Sequence, residues 1–292
     1  MLKYSRAYKN CIAYSGQSNI ERGFVMSTDS KDITKGNARR IHKVYVTDRF
    51  MLIFGENLNT EYHSHHALQI SLSLEGGMKI KCEDHIHSGN LVIVNSNHKH
   101  SINQSGVSLL LLIDSEQIEA HEIRCSKNLK DCYAESLEDN KLNEIAKKLY
   151  MENADENCVY NFYYRMIESI SDSVHDHNHN IDERIEEAIS IVKSDVTKAY
   201  SPEYLADEVH LSLSRFQHLF KDETGTTLSK FLLWQRTLKA IFLIVQGLSF
   251  TDAAVEAGFS DGAHFSRLVK RNFGLTMSEI KKNKEIEVIF IE

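Results

Sequence analysis

Histidine is the residue type with the most chemistry to offer in this chain, and seven of its 15 histidines fall between His63 and His100. His63 and His65 stand at i and i+2, so on a strand their imidazoles share one face; His100, on a later strand, can join them inside a barrel. Three neutral imidazoles make a site for Zn, Fe, Ni or Cu, with positions left open for water or a ligand. Gln69 complicates that chemistry, because a neutral amide is a much poorer ligand than a carboxylate, although it hydrogen-bonds well to a neutral molecule. Three readings stand open: a metal-free pocket for a small effector built from His63, His65, Gln69 and His100; a metal site on His63, His65 and His100; and a vestigial core of hydrogen-bonded histidines. The first is the expectation. His66, His85, His87 and His98 are expected at the surface. No acid, base or nucleophile constellation accompanies the imidazoles, so neither an enzyme nor a cofactor is expected.

A second set of residues is defined by repetition. Leu205, Ala206 and Val209 recur as Ala253, Ala254 and Ala257, displaced by 48 residues; Phe216, Leu219, Lys221 and Gly225 recur as Phe265, Leu268, Lys270 and Gly274, displaced by 49. Each copy reads as a short helix, a tight turn and a longer helix, the order of a helix-turn-helix. Ser201 before Pro202 is an N-cap with proline at the first helical position, and Ser212 and Ser260 are placed to cap the second helices. Gly258 supplies the freedom a sharp turn needs, with His210 in the equivalent place. If Phe216, Leu219 and Phe220, and Phe265, Leu268 and Val269, face inward, then Ser214, Arg215, Gln217, His218 and Lys221 face outward in one copy. His264, Ser266, Arg267, Lys270 and Arg271 do so in the other. Between the copies, LSKFLLWQRTLKAIFLIVQG reads as a helix of about 20 residues, roughly 30 Å long. Successive major grooves on one DNA face lie about 34 Å apart, so this helix has the length of a ruler, with Phe231, Trp234, Leu238, Ile241 and Leu243 packing against both copies.

The elements that must position these residues change character along the chain. From 41 to 113, short apolar pieces (IHKVYV, FMLIFG, LQISLSL, GMKIKC, NLVIVN, VSLLLLI) alternate with Gly, Asn, Asp and His, which predicts an antiparallel barrel or sandwich. Two amphipathic helices follow between 138 and 174: Leu142, Ile145, Ala146 and Leu149 stripe the first, and Tyr160, Tyr163, Tyr164, Ile167 and Ile170 the second, as core or as a partner surface. HDHNHNIDER (175–184) reads as a linker, and EIEVIFIE closes the chain with strand-like alternation and no assigned function.

Charge raises an objection to any nucleic-acid reading: the chain carries 34 Lys and Arg against 41 Asp and Glu, net −7. Residues 181–292 are themselves net −3, but residues 260–284 hold Arg267, Lys270, Arg271, Lys281, Lys282 and Lys284 against Asp261 and Glu279, a local +4. Such a balance predicts weak nonspecific binding, strong salt sensitivity and reliance on a few specific contacts. Five cysteines without a CxxC pair are expected as reduced packing thiols. No apolar run approaches the roughly 18 residues of a membrane span, and the first residues lack a secretory signal pattern, so a cytoplasmic protein without a membrane partner is expected.

The stretch 205–240 followed by 253–281, and above all GFSDGAHFSRLVKRNFG at Gly258 to Gly274, closely resembles the DNA-binding domain of AraC/XylS-type transcription regulators. Leu213 and Met277 stand where that family commonly has proline, and Asp252-Ala253-Ala254 where it has a more apolar sequence. The resemblance implies that Arg215, Gln217 and His218 face bases in one groove and His264 and Arg267 in the next. Ser214 belongs to the same DNA-facing set, and Lys221, Lys270 and Arg271 would hold phosphates. The spacing His63-x-His65, Gln69, Gly76, then Gly89, Asn95, Asn97, His100 and Gln104, resembles a degenerate cupin barrel, the sensor domain such regulators carry. The implied architecture is α+β: a cupin-like effector-sensing and dimerisation domain at 1–174, a linker at 175–184, an all-α domain with two helix-turn-helix motifs at 185–284, and a tail at 285–292. The implied function is a sequence-specific activator controlled by a small-molecule effector, acting as a homodimer on double-stranded DNA with RNA polymerase. The alternative is a metal-binding cupin sensor or enzyme fused to a DNA-binding domain.

Overall fold

In a computed structural model, residues 24–25, 40–152, 154–171, 181–274, 276 and 286–291 are described. They fall into two compact units, one within His177–Val269 and the other within Gly23–Asp176 together with Lys270–Glu292.

The latter unit is built on strands. β1 (Phe24–Val25), β2 (Arg40–Val46), β3 (Phe50–Glu56), β4 (Leu68–Ser73), β7 (Leu91–Val94), β9 (Val107–Ile113), β10 (Cys132–Glu135) and β11 (Glu287–Phe290) form one sheet in the order β1-β11-β2-β3-β9-β4-β7-β10. β5 (Met78–Cys82), β6 (His85–Ser88) and β8 (His100–Gln104) form another, in the order β6-β5-β8. Of the two expected architectures, barrel or sandwich, the described strands form two sheets and no closed barrel. Of the four places where the chain changes sheet, two are turns that touch each other: Gly76 (φ +82°) leads from β4 to β5 and Gly106 (φ +77°) from β8 to β9. A Cβ on Gly76 would collide with the Ser105 carbonyl, so the crossing needs glycine there. β6 and β8 escape an apolar reading because HIHS and HSINQ are polar. The closing segment EIEVIFIE does form a strand, with β11 parallel to β2 and antiparallel to β1.

The large sheet is covered by apolar helix faces. In α2 (Asn140–Met151), Leu142, Ala146 and Leu149 are buried; in α3 (Glu156–Ile170), Tyr163, Ile167 and Ile170 are, all in one core with Tyr45, Phe50, Phe54 and Leu111. The aromatic stripe of α3 is thus chiefly core. Tyr163 stacks on Phe50 at 4.1 Å between ring centroids, Tyr160 meets Phe50 edge-on at 5.5 Å, and Tyr164 remains exposed. The Tyr45 hydroxyl donates to the Leu149 carbonyl at 2.9 Å, satisfying a buried polar group within this core. A further helix, α1 (Ile118–Ser126), adds Ala120 and Ile123.

The other unit is helical: α4 (Glu183–Ser194), α5 (Pro202–Glu208), α6 (Leu213–Thr224), α7 (Leu228–Val245), α8 (Phe250–Glu256), and α9 (Gly262–Phe273), which continues past Val269. Ile185, Ile189, Leu205, Phe216, Phe220 and Phe231 share one core. The connecting helix α7 has 18 residues, about 27 Å. It buries Phe231 and Trp234, but Leu238, Ile241 and Leu243 are only half-buried, so its packing face is narrower than the sequence suggests. Of the expected linker, residues 175–180 lie outside the described residues, and Asp182 is the N-cap of α4, accepting from the Arg184 N–H at 3.0 Å.

Candidate nucleic-acid helices and sensor pocket

The α5–α6 pair is shaped by its caps and its turn. Ser201 accepts from the Tyr204 N–H at 3.1 Å with Pro202 at the first helical position, as the sequence predicts. His210 adopts φ +55°, the left-handed conformation that glycine takes in the second copy, and the chain folds back with the Leu211 N–H donating to the Ala206 carbonyl at 2.8 Å. Ser212 then caps α6 by accepting from the Arg215 N–H. On α6, Phe216, Leu219 and Phe220 are buried, while Ser214, Arg215, Gln217, His218 and Lys221 are exposed. Gly225 ends the helix at φ +68°.

The α8–α9 pair repeats the pattern with one change. Gly258 takes φ +90° in the turn, and a Cβ there would meet the Thr197 Cα at 3.0 Å and the Arg236 Nε at 3.0 Å. Arg236 was not singled out by the sequence; its Nε donates to the Val196 carbonyl at 2.7 Å and it also donates to Lys198 at 2.9 Å, tying α7 to the loop after α4. The cap of α9 is Asp261 rather than the expected Ser260: the Asp261 carboxylate accepts from the His264 N–H at 2.6 Å, and the Ser260 hydroxyl donates to it at 3.2 Å. The residue gained in the second copy moves the helix start onward by one. The His264 N–H holds the Asp261 carboxyl below the usual carboxylate range. Phe265, Leu268 and Val269 are buried and Arg267, Lys270 and Arg271 exposed. His264 and Ser266 are half-buried, the His264 ring standing edge-on to Phe259 at 5.5 Å.

In the strand unit, His63, His65, Gln69 and His100 do come together, each at most 5% exposed. His63 and His100 are joined through their backbones, each N–H donating to the other's carbonyl at 2.8 Å. Their ring centroids lie 4.2 Å apart, and that of His65 lies 5.2 Å from His100. The Nδ1 atoms of His63, His65 and His100 sit 2.9, 2.9 and 3.0 Å from the carbonyls of Glu61, Ala67 and His98. Burial pushes His63 down to about 3 and lowers His65 and His100 as well, so all three imidazoles are neutral. A neutral imidazole has one N–H, and here Nδ1 spends it on a carbonyl, which leaves Nε2 as an acceptor. Yet Gln69 Oε1 faces the Nε2 of His65 at 3.1 Å and of His100 at 3.3 Å, acceptor against acceptor. Exchanging the amide O and N removes the conflict: the NH2 donates to both imidazoles and Oε1 accepts from Ser71 Oγ, 2.9 Å away. The same convergent lone pairs are also what a metal ion requires.

Two expectations are corrected in this unit. His66 is buried, with Nε2 3.0 Å from Glu116 Oε2, because a carboxylate partner lets it leave the surface. His85 is exposed, and His87 and His98 are half-buried. Cys82 and Cys132 are not independent packing thiols but a disulfide between β5 and β10, whose Cα atoms are 6.6 Å apart. Separated by 50 residues and lacking a CxxC spacing, the pair left no local signal in the sequence.

Residues 205–283 match a family described as a helix-turn-helix domain. Two transcriptional activators named RhaS are similar: that of Escherichia coli O9:H4 (strain HS) is 35% identical over 82 residues, 28% of this chain and 30% of that protein. That of Escherichia fergusonii is 34% identical over 98 residues, 33% and 35%. The chain thus spans about a third of the length of these relatives. Among solved structures, an apo variant of ToxT from Vibrio cholerae strain SCE256 covers 79% of this chain and 96% of its own length at TM-score 0.57 and 15% identity. Unsaturated fatty acid bound wild-type ToxT covers 80% and 95% at TM-score 0.51 and 16% identity. That likeness is one of fold, an α+β chain with strands first and helices after. Over residues 205–283 the chain is thus similar to the helix-turn-helix domain of AraC-type transcription regulators.

Proposed function

We propose that the protein is a cytoplasmic, sequence-specific transcription regulator, an activator, whose strand-rich domain at 1–174 binds a small-molecule effector and whose domain at 185–284 reads double-stranded DNA through two helix-turn-helix motifs. One observation supports the DNA reading: within the helix-turn-helix match at 205–283, α6 and α9 each bury an apolar face and expose basic residues, Arg215 and Lys221 on one and Arg267, Lys270 and Arg271 on the other. In this reading, Arg215, Gln217, His218, His264 and Arg267 face bases, Ser214 stands beside them, and Lys221, Lys270 and Arg271 hold phosphates. Activation is supported by the RhaS relatives, which are named activators. It entails contact with RNA polymerase. The helices between 138 and 174 are the proposed dimerisation surface of a homodimer, with exposed Tyr164 as its centre.

The proposed effector site is the buried cluster of His63, His65, Gln69 and His100, a degenerate cupin interior. Neutral imidazoles around an amide suit a small, uncharged, hydrogen-bonding molecule, whereas a carboxylate would face acceptor lone pairs. Fatty acid is bound by ToxT; the lining here favours a more polar ligand. Regulation then needs the effector to prefer one state of the protein, and a coupling of about 1 to 3 kcal/mol suffices. The test is selection of bound DNA from a random pool with and without cell extract, repeated with Arg215→Ala and Arg267→Ala. Unchanged affinity and sequence preference in both variants would sink the assigned roles. A second reading, a metal-binding sensor, is favoured by the three Nε2 lone pairs that converge once Nδ1 is satisfied. Elemental analysis decides it: a stoichiometric metal lost in His63→Ala or His100→Ala establishes the metal.

A further inference from the structure

The strand register places Cys82 and Cys132 in the same layer as the histidine pocket. Cys82 is directly opposite His100, which is opposite His63; on the other sheet, Gln69 and Cys132 are both opposite Val94. Directly opposed residues point to the same face, so the cysteines lie on the inward faces that carry Gln69 and His100. His87 is opposite Ile80, two residues before Cys82 on the same face of β5. One donor atom each of Cys82, Cys132 and His87 lies within 4.8 Å of the others. Cys82 is buried, and Cys132 and His87 are half-buried, so this group stands at the edge of the layer while the three-histidine group is wholly inside it.

We infer that Cys82, Cys132 and His87 form a site for a thiophilic divalent cation of the Zn2+ class, open when the two thiols are reduced and closed by their disulfide. Two thiolates and one imidazole are a soft donor set that Zn2+ takes in tetrahedral geometry, with metal–sulfur distances of about 2.3 Å and a fourth position left for water or a small ligand. The two sulfurs come from different sheets, so the ion, like the disulfide, would tie β5 to β10 at the edge of the pocket. Opening is thiol–disulfide exchange with a low-molecular-weight thiol. Two equivalents of that thiol reduce the Cys82–Cys132 bond, giving two cysteine thiols and one small-molecule disulfide. Cation binding then releases the two thiol protons to water. A purely structural disulfide gains nothing from an adjacent imidazole; a metal site requires a third donor.

The experiment uses the full chain, reduced with a phosphine and freed of it without oxygen, then titrated with Co2+ and separately with Zn2+ against a chromophoric chelator. Reduced wild-type protein is expected to develop a thiolate-to-cobalt charge-transfer band that saturates at one equivalent, and the oxidised protein none. The band should persist in His63→Ala, which separates this site from the three-histidine group and from the proposed effector function. It should vanish in Cys132→Ser, with circular dichroism confirming the fold. His87→Ala should weaken binding by at least about tenfold, the loss typical of removing even a ligand's hydrogen-bond partner. No thiolate band in folded, reduced wild-type protein, or a band of unchanged intensity in Cys132→Ser, overturns the inference.

Discussion

At the scale of the residue, three imidazoles kept neutral by burial make the strand unit acid-sensitive. An unfolded histidine titrates near 6.5, whereas His63 in the fold is pushed down to about 3 by desolvation, with His65 and His100 lowered in the same direction. As the pH falls below 6.5 the unfolded chain takes up protons that the folded chain refuses. For His63 the stability present above 6.5 is therefore lost progressively down to about 3, at up to roughly 1.4 kcal/mol per pH unit, and His65 and His100 act in the same direction. Urea unfolding followed at pH 7 and pH 5 in the presence of a chelator should show this slope, and His63→Gln should flatten it. A slope unchanged in His63→Gln means that this imidazole is not held neutral in the fold. Gln69→Glu gives a complementary test, since it puts a carboxylate among three acceptor lone pairs. We expect the metal-free variant to lose on the order of 1–3 kcal/mol, and to recover stability on adding Zn2+ to a degree the parent protein does not. The cupin-like spacing was enough to gather His63, His65, Gln69 and His100, although only Gln69 and His100 lie on strands; His63 forms an isolated bridge to His100 and His65 sits in the loop before β4. The spacing could not reveal the Cys82–Cys132 bond or the His66–Glu116 pair, since both depend on which strands and loops meet.

At the scale of the element, the repeat was legible because the residues that shape a helix-turn-helix are local: caps, a left-handed turn residue and a 3.6-residue apolar period. Ser212 is a single side-chain cap on α6, so Ser212→Ala should cost about 1 kcal/mol in thermal or urea unfolding. Asp261→Ala should cost a similar amount, but it also removes an exposed negative charge that interacts with Arg267. Its affinity for DNA at low salt should hold or rise while its stability drops, a divergence that equilibrium unfolding and fluorescence anisotropy measured together would expose. The shift of the cap from Ser260 to Asp261 was not legible, because both residues are good caps and only the extra residue in the turn decides between them. β6 and β8 were missed for a different reason: β6 is largely exposed and β8 buries two polar residues, His100 and Gln104, so neither shows apolar alternation. β11 shows the reverse case, a visible strand pattern whose partner could not be named. Its register with β2 predicts that deleting Glu287–Phe290 exposes the β2 edge, so hydrogen exchange at Val44 and Val46 should speed up.

At the scale of the whole molecule, the governing quantity is charge. A net −7 means that approach to DNA is opposed by the chain's overall field, and binding has to rest on the local +4 near α9 and on the exposed face of α6. Each lysine or arginine that neutralises a phosphate contributes about −0.9 to the slope of log affinity against log salt. Replacing Lys221 or Arg271 with alanine should therefore weaken binding to all sequences alike and reduce the magnitude of that slope by about 1. Arg215→Ala and Arg267→Ala should instead cost about 1–3 kcal/mol on the selected site, with less loss on random DNA, and relax the preference at one base position. Anisotropy titrations across a salt series with specific and random duplexes separate the two behaviours. If all four variants fell equally on both duplexes, the binding would be electrostatic throughout. A protein of this net charge could not then hold one site against genomic DNA, because the attraction available to it is too small without base contacts.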